Sequence, residues 1–209
     1  MNSTDLKGIF EVIATKMKNN RDWLVELDSR IGDSDIGFTA AKGFREAYRA
    51  IKNSKESNLA QLLLIVGKKM SLSVPSTIGT LLACGFMNAG RKMNGLSEWT
   101  TLDFAKFLIL FYEGIQTLGN ANLNEKTILD SLHPLCQEFT AAAEAGDDFK
   151  VASKRAALAG RIGFDRTRDM IARHGKASVY GNKTLSFEDP GAAVAMLMGE
   201  SIYEYFNNT

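Results

Sequence analysis

The chain has 209 residues with 25 Lys and Arg against 24 Asp and Glu, a balance that argues against binding nucleic acid or a membrane surface through bulk charge. This length suits one domain over 1–209 with a sizeable core, and no apolar run approaches the ~20 residues of a membrane span. The polar start Met1-Asn2-Ser3-Thr4-Asp5 is no signal peptide, and Cys84 and Cys136 stand isolated as buried free thiols, so a cytoplasmic protein is expected.

Nearly every segment repeats its apolar residues at helical period, and none sustains the alternation of a strand. Leu6, Ile9, Phe10, Ile13 and Met17 mark a first helix, capped by Ser3 or Thr4. A second covers 21–27 and delivers Asp28 at its end; a third runs over 38–51 and a fourth over 59–70. The fifth begins after Pro75 and carries Leu81, Leu82, Phe86 and Met87 inward, the sixth spans 103–118, the seventh 127–145 and the eighth 149–173. A last helix follows Pro190 up to Phe206, with Pro190 in its first turn and Gly175 as the stop of the helix before. About eight helices with short connections imply an all-α antiparallel bundle or closed barrel. The irregular segment 175–189 has the length of a functional loop.

The most informative segment is Leu27-Asp28-Ser29-Arg30-Ile31-Gly32-Asp33-Ser34-Asp35-Ile36-Gly37. Three carboxylates at one helix junction, with no His or Cys beside them, suit an oxygen-preferring divalent cation rather than zinc. A calcium loop started at Asp33 would place Gly37, Phe38 and Phe44 where it needs a ligand, a Gly and a Glu, so that reading fails. A solvated acidic turn is the plainer alternative.

Three further loops carry matching chemistry. Ser73-Val74-Pro75-Ser76-Thr77-Ile78-Gly79-Thr80 brings hydroxyls and free N–H groups to a helix start, an anion site or a simple cap. Gly119-Asn120-Ala121-Asn122-Leu123-Asn124-Glu125-Lys126-Thr127 is an Asn-rich turn, and Gly175-Lys176-Ala177-Ser178 leads to Glu188-Asp189-Pro190-Gly191. Lys176 suits a phosphate or a helix C-terminus. No Walker A motif occurs. In an up-and-down bundle the starts of helices three, five, seven and nine share one end, and these are the four loops. A nucleotide lying across that end, with metal on the Asp side, is the arrangement they suggest.

Together these segments resemble the L subunit of dihydroxyacetone kinase over essentially the whole chain. The family's Leu-Asp followed by Gly-Asp-Gly-Asp-His-Gly reads here Leu27-Asp28 and Gly32-Asp33-Ser34-Asp35-Ile36-Gly37. Its Gly/Ser-rich loop is matched loosely by Ser76-Thr77-Ile78-Gly79, its Gly-Asn-Ala and Lys-Thr by Gly119-Asn120-Ala121 and Lys126-Thr127, and its ending by Gly175-Lys176-Ala177-Ser178 and Asp189-Pro190-Gly191-Ala192. The resemblance implies an eight-helix antiparallel barrel holding ADP or ATP and two Mg2+ ions at one end. It implies Asp28, Asp33 and Asp35 as metal ligands. Ile36, Gly37, Phe38 and Thr39 would lie along the nucleotide, with Ser76, Thr77, Ile78 and Gly79 at its phosphates or base. Gly119 and Ile128 would pack near adenine or ribose, while Lys176 and the Asp189-Pro190-Gly191 turn close the site.

The resemblance further implies that a separate K subunit holds dihydroxyacetone or a similar small ketose, and that ATP or a phosphotransferase-system protein is the phosphoryl donor. No catalytic residue is assigned to this chain, His133 and His174 are given structural roles, and self-association as a homodimer stays open. An ADP–Mg2+-loaded docking or regulatory protein without catalysis is the alternative. Four departures mark a divergent branch: Ile36 stands for the family's His, Ser34 for a Gly, Pro75-Ser76-Thr77-Ile78-Gly79 for the Gly-rich loop, and Lys176 for an Arg. Ser34 is expected to be tolerated.

Overall fold

A computed structural model describes residues 1–93 and 95–209. Nine α-helices account for most of it: α1 (Ser3–Asn19), α2 (Arg21–Ser29), α3 (Ile36–Ile51), α4 (Leu59–Ser73), α5 (Thr77–Lys92), α6 (Thr101–Gly119), α7 (Leu129–Glu144), α8 (Phe149–Arg166) and α9 (Pro190–Asn208). Among the described residues there is no β-strand, only an isolated bridge between Asn2 and Glu98.

Their starts follow side-chain chemistry. Asn2, rather than Ser3 or Thr4, caps α1, because its side chain accepts the Thr4 and Asp5 N–H groups while the Asn2 N–H donates to the Asp5 carboxylate. Asn58, Ser76, Thr100, Asp148 and Asp189 each cap the helix that follows. Each such cap contributes on the order of 1 kcal/mol.

Each helix packs on its neighbour in the order α1, α3, α4, α5, α6, α7, α8, α9, and α9 returns to α1. This is the neighbour order an antiparallel barrel requires. The shared interior is rich in phenylalanine: Phe10, Phe86, Phe104, Phe111 and Phe139 are fully buried, with Phe86 and Phe111 ring centroids 4.6 Å apart and Phe104 and Phe139 5.0 Å apart. Each large side chain taken from water contributes roughly 1.5–3 kcal/mol, so this interior fixes the helix ends that carry the loops.

One expected helix is shorter than its apolar pattern. The eighth stops at Arg166 instead of continuing to 173, and passes through a 3-10 turn over Thr167–Asp169. There the Thr167 hydroxyl donates to the Phe164 carbonyl at 2.6 Å and accepts the Asp189 N–H at 2.8 Å, turning the chain back toward α9. Gly175 is therefore no helix stop. It opens a stretch of 3-10 turns over Lys176–Thr184 with φ 62°, and Gly181 interrupts that stretch with φ 51°.

Candidate functional site

The acidic segment starts in the last turn of α2, where Asp28 is buried. Its Oδ2 accepts the backbone N–H of Asp35 at 2.9 Å and of Ile36 at 3.2 Å. A carboxylate from the end of one helix thus caps the start of the next, where the helix dipole favours negative charge. Asp35 occupies the N-cap position of α3, yet its side chain makes no capping bond, which leaves its carboxylate for the cavity. Gly32 permits the fold-back, since a Cβ there would overlap the Asp28 carboxylate.

Oxygens of Asp28, Asp33 and Asp35 lie within 4.8 Å of one another. Burial, and then the Asp28 charge, push the Asp35 carboxyl above its ordinary value. Such mutual repulsion is what a hard divalent cation relieves, so the donor set fits Mg2+. Lys176 reaches the same cluster and forms an ion pair with Asp33.

Four helix starts meet beside these carboxylates. A hollow of about 200 Å3 is lined by Asp35 and Ile36 at the start of α3, Thr77 and Ile78 of α5, Ile128 before α7, and Pro190 and Gly191 of α9. It adjoins a cleft of about 770 Å3 walled by Leu81, Ile115, Leu118, Ile128 and Leu129. Asp35, Thr77, Thr127, His174 and Lys176 line both. Each helix start carries about half a positive charge and N–H groups without intrahelical acceptors. Ser76 Oγ accepts only that of Gly79, at 3.1 Å, which leaves those of Thr77 and Ile78 for a ligand. The combined space suits a molecule with an apolar or aromatic body and an anionic tail next to a cation.

Residues 167–189 form a strap along one side, bringing His174, Gly175, Lys176 and Ala177 to the hollow. The strap is held from the turn before α7. Lys126, 2% exposed, donates from Nζ to the carbonyls of Thr167 at 2.7 Å, Thr184 at 2.8 Å and Met170 at 3.3 Å, and also to that of Phe187. Burial lowers the Lys126 ammonium from its ordinary value, against the opposing pull of Asp189 and other carboxylates. Asp189 caps α9 through Oδ2, which accepts the Ala192 N–H at 2.7 Å, and burial pushes its carboxyl up to about 7. His174 Nε2 lies 2.6 Å from Glu125 Oε2. Glu125 is held below the ordinary carboxylate value, first by the Asn122 N–H and then by His174.

Of the residues singled out in the sequence, Asp28, Asp33, Asp35, Ile36, Ser76, Thr77, Ile78, Gly119, Ile128, Lys176, Asp189, Pro190 and Gly191 line the hollow or the cleft. Gly37, Phe38, Thr39 and Gly79 do not. Gly37 is buried against α2, where a Cβ would overlap the Arg21 carbonyl, and Phe38 is exposed with the Arg21 guanidinium 5.5 Å from its ring. Gly79 sits against the Val74 backbone. Sequence reasoning left Lys126 without a role and gave His174 a purely structural one, though it lines both spaces. A lone Lys inside an Asn-rich turn was the available signal for the first; nothing in the spacing marked the second.

A family model described as the DAK2 domain matches residues 30–204. The chain is 25% identical over 189 residues to the PTS-dependent dihydroxyacetone kinase, ADP-binding subunit DhaL, of Lactococcus lactis subsp. lactis, covering 90% of each. It is 27% identical over 200 residues to the L-erythrulose 1-kinase of Mycolicibacterium smegmatis, covering 93% of this chain and 34% of that one. The crystal structure of the dihydroxyacetone kinase from C. freundii in complex with AMP-PNP and Mg2+ superposes with a TM-score of 0.72 at 23% identity, over 95% of this chain and 33% of that one. The chain thus corresponds to about a third of the two longer kinases and to nearly the whole of the DhaL subunit.

Proposed function

This chain belongs to the DAK2 domain family, and from that footing we propose that it is the ADP–Mg2+-binding subunit of a two-component kinase for dihydroxyacetone or another small ketose. The observation that carries the reading is the convergence of four helix starts and three clustered carboxylates on one hollow opening into an apolar cleft. In this reading the base lies against Leu81, Ile115, Leu118 and Ile128. The N–H groups of Thr77 and Ile78 at the start of α5 orient the phosphates. Asp28, Asp33 and Asp35 hold the two Mg2+ ions, which when bound neutralise charge on the phosphate oxygens. Lys176 stands where it can exchange Asp33 for a phosphate oxygen.

Phosphoryl transfer asks chiefly for positioning and charge neutralisation, which these residues supply. The acceptor hydroxyl and the base that activates it then come from a K-type subunit that holds the ketose. The donor is ATP or a phosphotransferase-system protein that rephosphorylates a retained ADP; the L. lactis relative belongs to a PTS-dependent kinase. The match to an erythrulose kinase supports a four-carbon ketose as an alternative substrate.

Mixing the chain with a K-type subunit, Mg2+, a ketose and either donor, and following ketose phosphate by mass spectrometry, tests the proposal. Product formation that depends on this chain is expected. A chain that binds ADP but yields no product with any donor would mark it as a nucleotide-loaded docking protein instead.

A further inference from the structure

The nucleotide reading leaves the chemistry of Lys126, in the Asn-rich turn, unused. Its ammonium is buried and has three N–H groups, and four carbonyls already claim them. No proton is left for a phosphate, so Lys126 is not an anion ligand even though it lines the hollow. The four carbonyls are not random neighbours. Thr167 and Met170 lie where the chain leaves α8, and Thr184 and Phe187 lie just before α9, so they bracket both ends of the strap. Between them the strap presents His174, Gly175, Lys176 and Ala177 to the cavity. Lys126 is also followed directly by Thr127 and Ile128, which line both spaces. Its own backbone takes φ 59°, a left-handed conformation that a lysine adopts at a cost and that the surrounding contacts must hold.

Resting on the nucleotide reading above, we propose that Lys126 is the positioning residue of this site: its ammonium draws four carbonyls together and thereby seats the 167–189 strap against the starts of α3, α5 and α7. Without that charge the four carbonyl dipoles face one another and those of Met170, Thr184 and Phe187 lose the ammonium donor, while that of Thr167 keeps the Met170 N–H, an arrangement that buried polar groups do not sustain. The strap then parts from the cavity and takes His174 and Lys176 with it. The helices have their own core and do not depend on the ammonium.

Hydrogen exchange followed by mass spectrometry on Lys126→Met, with ADP–Mg2+ titrated by calorimetry into the same protein, tests this. Methionine fills the space of the lysine stem without the charge. The expected result is faster exchange confined to 167–189, with α1, α3, α4, α5 and α6 unchanged, and ADP affinity reduced by about ten-fold or more. Lys126→Arg, which keeps charge and donors, should recover part of the strap protection. Should Lys126→Met yield no folded protein, Lys126→Gln, with two N–H donors and no charge, takes its place in both measurements. Unchanged strap exchange, exchange raised equally in every helix, or a loosened strap with undiminished ADP affinity would each overturn the proposal. Failure of the unaltered chain to bind ADP–Mg2+ would overturn the nucleotide reading instead, with strap exchange still deciding whether Lys126 seats the strap.

Discussion

Ser34 stands in the middle of the acidic loop with φ 66°, in the left-handed region. A side chain there costs about 1–2 kcal/mol, part of which glycine's greater freedom in the unfolded chain gives back. Ser34→Gly is therefore expected to stabilise the protein by up to about 1 kcal/mol, read as a small rise in Tm. The expectation that Ser34 is simply tolerated thus has a measurable cost attached. Asp189 offers a second test at this scale, through pH. Its carboxyl is raised from 3.8 to about 7, so between those values the folded chain holds a proton that the unfolded chain has lost. Stability then falls as pH rises through that window. Asp189→Asn keeps an acceptor for the Ala192 N–H and removes the titration, so its stability should vary less between pH 4 and 7 than that of the unaltered chain. Urea unfolding across that range would show it; equal slopes would mean that Asp189 is already ionised in the folded chain.

At the scale of elements, the site depends on how closely α3 approaches α2. Gly37 makes that approach possible, and it touches neither the hollow nor the cleft. Gly37→Ala should displace the start of α3 and with it Asp35 and Ile36. The expected outcome is a loss of roughly 1–3 kcal/mol in stability from overpacking, together with weaker Mg2+-dependent ADP binding. A variant that loses stability but binds as before would show that the α2–α3 contact does not set the site. Apolar periodicity made most helices legible, because each buries one face on a common interior. It misjudged the end of α8, where residues 167–173 still carry periodic apolar positions. What ends the helix there is Thr167, whose carbonyl accepts the Lys126 ammonium from 41 residues upstream and whose hydroxyl accepts the Asp189 N–H from 22 residues downstream. No local pattern records such partners.

For the whole molecule, the alternation of helix direction in the sequence is enough to place four loops at one end, and the hollow lined by the starts of α3, α5, α7 and α9 agrees with it. Legible too was the acidic cluster, since three Asp at a helix junction have few structural uses. Roles inside the cluster were not. That Asp28 caps α3, leaving Asp35 for the cavity, depends on the angle at which α2 meets α3. In the proposed reading these carboxylates and helix starts together hold a nucleotide through Mg2+. Calorimetric titration of ADP into the purified chain, with and without Mg2+ and alongside Asp35→Ala, tests it most directly. Asp35 makes no capping bond, so its removal leaves the helix start intact. One ADP bound per chain, with affinity that requires Mg2+ and falls by about ten-fold or more in Asp35→Ala, is the expected result. Binding indifferent to both Mg2+ and Asp35, or no binding at all, would contradict the account.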